Sequence, residues 1–445
     1  MEKDVFQKVR NGMHHKRGRS RNQRAGCKMC KPWKISGVSR TSEGFEKHSD
    51  HVARMAAVEE SENAPSTLSI INKENAVTST DKLKLLIPLD EIEPSALTQI
   101  HDVLSLECLK KLVIMPDVHT GYDLVIGGVA LLEDHISPSF VGYDIGCGMV
   151  HISTGIRTAD LLPDSRAKVG LFQKIQKLIP SGFASRKSKD LGFPKFVSPS
   201  GNKDLITRVN DKVENQAGTL GGGNHFIEIG ENRSGEVCIT IHSGSRNVGH
   251  SIGGYYMKQG RLFPLSSDLG RAYQHDMNFA LNFALYNRET MLRTVLALMN
   301  FGEQDITRIM TGMINENHNH AVVTTDGVLH RKGATPADLG QFGIIPANMR
   351  DGVYITRGLG NQEYLSSASH GCGRRMGRKE AKRSLDLEEF KGQMTGIVST
   401  SDKTTLDEAP GAYKDITSVI AYQEGIVIEV IDFVKPLINI KAQGE

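Results

Sequence analysis

Four short runs rich in β-forming residues, each breaking into a glycine-rich polar turn, limit what this chain can fold into more than any other feature. They are "KLVIM" at 111–115, "FIEIG" at 226–230, "EVCITIH" at 236–242 and "GVYITRG" at 352–358. Their length and composition predict strands that feed loops. Many of the 45 glycines stand at the ends of such runs, where the missing Cβ lets backbone approach a ligand closely. Between them, "LGRAYQHDMNFALNFALYNRETMLRTVLALMNF" sets Ala272, Met277, Ala280, Phe283, Ala284, Tyr286 and Leu292 near helical spacing. That spacing predicts one or two long helices. No internal repeat interrupts this mixed pattern.

The polar residues at the turns share one chemistry. "MPDVHTGYDLVIGG" offers Asp117 and His119, "GYDIGCG" offers Asp144 and Cys147, and "LGGGNHFIE" offers Asn224, His225 and Glu228. "IHSGSR" adds His242 and Arg246, and "VLHRKGA" adds His330. One histidine at a strand end is ordinarily a hydrogen-bonded structural residue. Five separate turns presenting imidazole, carboxylate or thiolate point instead to a shared metal site. A thiolate beside a carboxylate and imidazoles suits a borderline divalent ion such as zinc or manganese, and a sulfur can bridge two ions where a nitrogen cannot. Coordination would deprotonate Cys147, and two ions sharing it could clamp opposite sides of a phosphorus. A redox role needs a resolving thiol, and Cys147 has no neighbouring cysteine in the sequence.

At 445 residues, 39% of them hydrophobic, the chain can bury a large core in one big domain or two smaller ones. Its 54 basic and 51 acidic residues leave a net charge of only +3, so attraction to a polyanion must come from local clustering. That clustering stands at the start, where residues 1–34 hold eleven Lys and Arg against Glu2 and Asp4. The block reads as a solvated arm able to brush RNA. Cys27 and Cys30 of "CKMC", with His14 and His15 upstream, allow a zinc knuckle there. A single CxxC without a second cysteine pair favours the arm. From 41 to 80 few large apolar residues occur, which reads as a linker. The expected organisation is a basic, partly disordered extension and linker over 1–81 and a folded domain over 82–445. No apolar run approaches the roughly 20 residues of a bilayer span, the start lacks a secretory core, and six cysteines make no disulfide framework. A cytoplasmic protein without a membrane partner is expected.

A second constellation is "NQEYLSSASHGCGRRMGR" at 361–378. His370 precedes Gly371 and Gly373, which leave room for a bulky group at the imidazole, and Arg374, Arg375 and Arg378 follow. An imidazole amid guanidiniums attracts phosphates. It could serve as a general base, an anion contact, or a nucleophile that forms a phosphoramidate with a nucleotide.

In order along the chain, "PDVHTGYDLVIGG", "VGYDIGCGM", "GTLGGGNHFIEIG", "HSGSRNVGH", "HRKGATPA", "SASHGCGRRMGR" and "DEAPGAYKDI" resemble the motif series of the RtcB-type RNA ligases, also called tRNA-splicing ligases. The resemblance runs from about Leu86 to Lys441. It implies an α+β fold of mixed β-sheets surrounded by helices, with a central metal and nucleotide cleft. It also implies a ligase that joins RNA ending in a 2′,3′-cyclic phosphate or 3′-phosphate to RNA with a 5′-hydroxyl, using GTP and two manganese ions. By motif match, Asp144, Cys147 and His225 would hold one ion, and Cys147, His242 and His330 the other. His370 matches the family's guanylylated histidine, Arg246 would stabilise developing negative charge, and Asp117 would orient His370, with Asn224 beside them.

The GTP pocket implied by the same match comprises Asn224, His225, Phe226, Ile227, Glu228, His330, Pro346, Ala347, Asn348, Met349, Val353, His370, Gly371, Cys372, Gly373, Tyr413 and Lys441. Tyr413 is suited to stacking on guanine and Lys441 to its O6. The chain departs from the commoner family pattern at "IPANMRDGVY", where Asn348 and Val353 stand at serine positions. Asn348 can still hydrogen-bond phosphate or base, but the Val353 side chain cannot. Cys372 stands for the usual Ala and Gly377 for Ser, and Cys372 would bring an oxidisable thiol near the nucleotide. A monomer, with room for an activating helper protein, is expected. Two other readings stay open: a metal-dependent phosphodiesterase that opens cyclic phosphates without ligating, and a non-catalytic RNA-binding protein.

Overall fold

The computed structural model describes residues 81–186 and 192–442. The expected arm and linker, apart from Asp81, and the Cys27–Cys30 motif therefore lie outside the described residues. The four β-rich runs fall on strands, with only Gly352 outside them: Leu109–Tyr122, Phe226–Glu231, Glu236–Ser243 and Val353–Gly358. The helical stretch is one uninterrupted helix, Asp268–Leu298.

One sheet has five strands, in the order Leu83–Leu85, Leu109–Tyr122, Leu124–Leu132, Gly327–Lys332 and Asn319–Thr324. A larger sheet runs Phe342–Pro346, Val353–Gly358, Ile428–Lys441, Phe226–Glu231, Glu236–Ser243, Gly148–Arg157 and Ile314–Asn317, with Val398–Ser399 also paired to Ile428–Lys441. Among these strands only Leu83–Leu85 and Val398–Ser399 pair in parallel. Helices lie between and around the sheets, the mixed α+β arrangement that the strand and helix patterns call for. The chain crosses from the larger sheet to the smaller at a single residue, His318, between Ile314–Asn317 and Asn319–Thr324.

Period-two alternation decides which side chains of the larger sheet meet the core. In Phe226–Glu231, Ile227 and Ile229 join an apolar cluster with Val150, Ile152, Ile239, Ile241 and Ile438. Phe226 and Glu228 therefore face the other way, into a cavity.

The helix Asp268–Leu298 starts at Ser267, whose side chain accepts from the Gly270 N–H, with Asp268 in its first turn; both features favour a helix N-terminus. At 31 residues it spans about 46 Å. Its buried stripe runs through Ala272, Tyr273, Met277, Ala280 and Phe283 in one apolar cluster and through Met291, Leu292, Val295 and Leu296 in another. Between the two halves the stripe holds Asn287 and Arg288, polar and fully buried. Arg288 reaches the turn that carries Asp144 and Cys147, while Asn287 bonds to the backbone of Thr219 and Gly244.

Candidate active site

Asp144 and Cys147 share one turn ahead of the strand Gly148–Arg157. The Cys147 N–H donates to the Asp144 carbonyl at 3.0 Å, which points both side chains to one place. Gly146 allows the turn: its φ is +73°, and a Cβ there would come within 2.8 Å of the Ala284 methyl. His225 enters from the start of the strand Phe226–Glu231. Its Nδ1 meets the Leu220 carbonyl at 2.9 Å, leaving Nε2 3.4 Å from the Cys147 sulfur and 3.1 Å from Asp144 Oδ2. His242, near the end of its strand, brings Nε2 to 3.2 Å from the same sulfur. The fifth group is His318, whose Nε2 lies 3.3 Å from His242 Nε2. The His318 N–H donates to the Cys147 carbonyl at 2.8 Å, so the crossing between sheets is tied to the cysteine turn.

These atoms form two triads that share one sulfur: Asp144, Cys147 and His225, and Cys147, His242 and His318. A tetrahedral site with metal–ligand bonds of about 2.0–2.3 Å has ligand–ligand edges of about 3.3–3.7 Å, close to the spacings seen. Burial and neighbouring cationic groups hold the His242 and His318 imidazoles well below their ordinary pKa, so both are neutral. Burial, reinforced by the Asp144 charge, pushes the Cys147 thiol well above its ordinary value. Burial also opposes ionisation of Asp144, but contact with His225 outweighs it and lowers that carboxyl. Neutral imidazoles, an anionic carboxylate and a thiol that only a nearby cation would ionise fit a pair of divalent ions.

His330 does not join this cluster. It stands in the strand Gly327–Lys332 with no surface exposure, accepts the Ser137 N–H on Nε2 at 2.9 Å, and directs Nδ1 to the Val328 carbonyl at 3.2 Å. Both ring nitrogens are used, and His318, not His330, lies with Cys147 and His242. The sequence signal for His318 is the "NENHNHAVV" segment, an imidazole between two short extended runs. Arg246 stands beside His225 with Nη2 donating to the Gly182 carbonyl at 2.7 Å, and its charge acts on Asp144.

His370 adjoins the second triad, its ring centroid 4.7 Å from that of His318. Asp117 holds it twice: Oδ2 accepts the His370 backbone N–H at 3.1 Å and lies 2.7 Å from Nδ1. With Nδ1–H given to Asp117, the lone pair on Nε2 is available. Gly373 makes this approach possible, because at φ +72° a Cβ there would collide with the Asp117 backbone.

His370 opens into a cavity of about 280 Å³, near the lower end of small-molecule sites. Asn224, Phe226, Glu228, Pro346, Ala347, Asn348, Met349, Gly371, Cys372, Gly373, Tyr413 and Lys441 line it as expected. Four expected members do not. His225 turns to the sulfur, and His330 is held elsewhere by its two hydrogen bonds. Ile227 lies on the core side of its strand, and Val353 is fully buried in an apolar cluster with Ile344, Ile355 and Val434. The departure at Val353 therefore falls in the core and not on the cavity wall. Asn348 is braced by Asp351, its Nδ2 donating to Oδ2 at 2.7 Å. Cys372 is buried and donates its S–H to the Ala347 carbonyl at 2.8 Å, and burial pushes its thiol pKa up, the opposite of an oxidation-prone thiolate.

Sequence reasoning passed over Glu408, the centre of the cavity's charge network. Lys441 pairs with it, Arg378 reaches it at 2.6 Å, Arg374 at 3.2 Å, and the Tyr413 hydroxyl donates to it at 2.6 Å. Burial opposes ionisation of Glu408, yet Lys441, Arg378 and Arg374 outweigh it and hold its pKa at about 2. At Glu228, Asn439 and the charge of Lys441 do not outweigh burial. Burial raises its pKa to about 8, Asn439 donates to Oε2 at 2.9 Å, and Oε1 has no partner among the described residues.

A family model described as tRNA-splicing ligase RtcB matches residues 99–442. The RNA-splicing ligase RtcB1 of Escherichia coli strain ATCC 25922 is 36% identical over 375 residues, covering 75% of this chain and 90% of that protein. The RNA-splicing ligase RtcB of Escherichia coli K12 is 35% identical over 373 residues, with the same coverage of 75% and 90%. The tRNA-splicing ligase RtcB of Aeropyrum pernix is 29% identical over 428 residues, covering 75% of this chain and 89% of that protein. Matched along most of its length, this chain belongs to the RtcB family.

Proposed function

We propose that the protein is an RNA ligase that seals a 2′,3′-cyclic phosphate or 3′-phosphate end to a 5′-hydroxyl end, through a guanylylated His370, with GTP and two manganese ions. The observation that carries this reading is the junction of three parts. His370 has its Nδ1 held by Asp117, it touches His318 of the shared-sulfur cluster, and it opens into a cavity lined by Glu228, Tyr413 and Lys441.

Asp144, Cys147, His225, His242 and His318 would hold the ions, which supply positive charge for phosphate oxygens and a leaving pyrophosphate. The cavity groups would take guanine: Tyr413 by stacking, Lys441 by donating to O6, and the unpartnered Oε1 of Glu228 by accepting from the base's N–H edge. His370 Nε2 would then bond to the α-phosphorus of GTP as the α–β phosphoanhydride bond breaks and pyrophosphate leaves, while the Nδ1 proton stays on the ring and the Asp117 carboxylate that accepts it steadies the cation formed. An oxygen of the RNA 3′-phosphate next takes the guanylyl group and frees the imidazole; a cyclic end is first opened by water. The 5′-hydroxyl finally attacks the activated 3′-phosphate and GMP leaves, the hydroxyl proton passing to solvent, and Arg246 would stabilise the added negative charge.

Incubation with α-labelled GTP and manganese tests this. Wild-type protein should acquire an acid-labile label that maps to His370. His370→Ala should acquire none, and Asp117→Asn should label at least about a hundredfold more slowly, because the wrong tautomer is then favoured. An unlabelled wild type that still opens cyclic phosphates would replace ligation with the phosphodiesterase reading.

A further inference from the structure

We infer that Tyr122, Tyr143 and His250 form a stacking platform for an unpaired nucleobase of the RNA strand next to its reacting end. Large aromatic rings left in water normally find cover, yet Tyr122 is 55% and Tyr143 38% exposed. They are the exposed pair of large hydrophobic side chains in ring contact among the described residues, with centroids 6.0 Å apart. On its other side Tyr143 stacks on the exposed His250 ring at 4.9 Å and an interplanar angle of 23°.

The platform is braced. Asp123, beside Tyr122, adopts φ +70° and is held by Arg261 at 2.6 Å and by the Ser139 hydroxyl. Lys332 donates to the carbonyls of both Tyr122 and Ser139, joining the end of the strand Leu109–Tyr122 to the short helix Pro138–Val141 that precedes the cysteine turn. Its ammonium also lies 5.9 Å from the Tyr122 ring centre. Rigid rings in a fixed ladder lose little entropy on binding a flat partner.

Its position names the partner. Tyr143 is bonded directly to Asp144, whose carboxylate is 38% exposed and forms the open edge of the shared-sulfur cluster. His250 is one helical turn beyond Arg246 in the helix Arg246–Met257. An RNA phosphate at the cluster therefore carries its own or its neighbour's base toward these rings. A protein partner would need roughly 800 Å² of buried surface on each side, far more than three rings present. Stacking also tolerates every base, as a general end-joining enzyme requires. The inference rests on the ligase reading only for the identity of the substrate.

The test uses single-stranded RNA with 2-aminopurine at successive positions, in a strand with a 3′-phosphate or a strand with a 5′-hydroxyl, titrated with manganese-loaded protein without GTP. Wild type should quench the probe at a terminal position of one strand, which tells which end the platform serves. Tyr122→Ala should abolish that quench and weaken binding about tenfold. Tyr122→Trp should restore both, excluding a folding defect, and an abasic nucleotide at the same position should make binding indifferent to Tyr122→Ala. Unquenched probes at every position, or equal RNA affinity for wild type and Tyr122→Ala, would overturn the platform and leave a protein-docking role for the rings. GTP labelling of wild type, run alongside, separates the two ideas: an unlabelled protein ends the ligase reading, while the quench still decides stacking.

Discussion

His318 and His330 carry the same side chain, but only His318 could turn both of its roles over to a cation. Its Nε2 faces His242 Nε2, and its Nδ1 has no partner among the described residues. His330 instead satisfies the Ser137 N–H and donates to Val328. His318→Ala should lower the manganese stoichiometry by one ion with modest loss of stability. His330→Ala should keep both ions and lose about 1–3 kcal/mol of stability through the bare Ser137 N–H. Titration with manganese followed by electron paramagnetic resonance, beside denaturant unfolding, reads both effects; the reverse pattern would return the ligand role to His330. The sequence could not separate the two histidines. Both end or interrupt extended runs, and a one-residue change in strand register reverses the face a side chain meets. Ile227 and Val353 miss the cavity for the same reason, although each is near in sequence to groups that do line it.

Among the secondary-structure elements, the helix Asp268–Leu298 does more than fill the core. Arg288 Nη1 donates to the carbonyls of Gly146 and Ser243, both at 2.9 Å, and Nη2 to Asn317 Oδ1 at 2.7 Å. Gly146, Ser243 and Asn317 are sequence neighbours of Cys147, His242 and His318. A single planar guanidinium thus registers the three segments that carry Cys147, His242 and His318, all at strands of the larger sheet, against one helix. Burial lowers its pKa to about 10, which leaves it cationic at neutral pH. Arg288→Lys supplies charge but cannot span these acceptors. It should weaken manganese affinity about tenfold or more while the far-ultraviolet circular dichroism stays native; calorimetric titration giving wild-type affinity would refute the registering role. The helix itself was legible in the sequence from its apolar spacing. The task of Arg288 was not, since a polar residue on a buried stripe shows no partner until the sheets are packed.

At the scale of the whole molecule, the expected contribution of the basic block at 1–34 to RNA binding can be tested apart from the described domain. For single-stranded RNA, the slope of log affinity against log salt falls by about 0.7 for each phosphate that a Lys or Arg ceases to neutralise. Deleting residues 1–34 should therefore flatten that slope by several units and leave GTP labelling of His370 intact. An unchanged slope would remove the arm from RNA binding. No described helix is long and apolar enough to cross a membrane.

By itself the sequence determined the four strands, the helical stretch and the cysteine turn, because each is written in local spacing or turn chemistry; the α+β class and the link between Asp117 and His370 came from the resemblance of its motifs to a family. Only the tertiary structure decided which histidine meets the sulfur, which strand residues face the cavity, that Glu408 anchors its charges, and that two tyrosines and a histidine far apart in the chain share one surface. Those outcomes depend on the register and packing of segments distant in sequence, and a linear pattern constrains the face of each segment far better than the partner that face will meet.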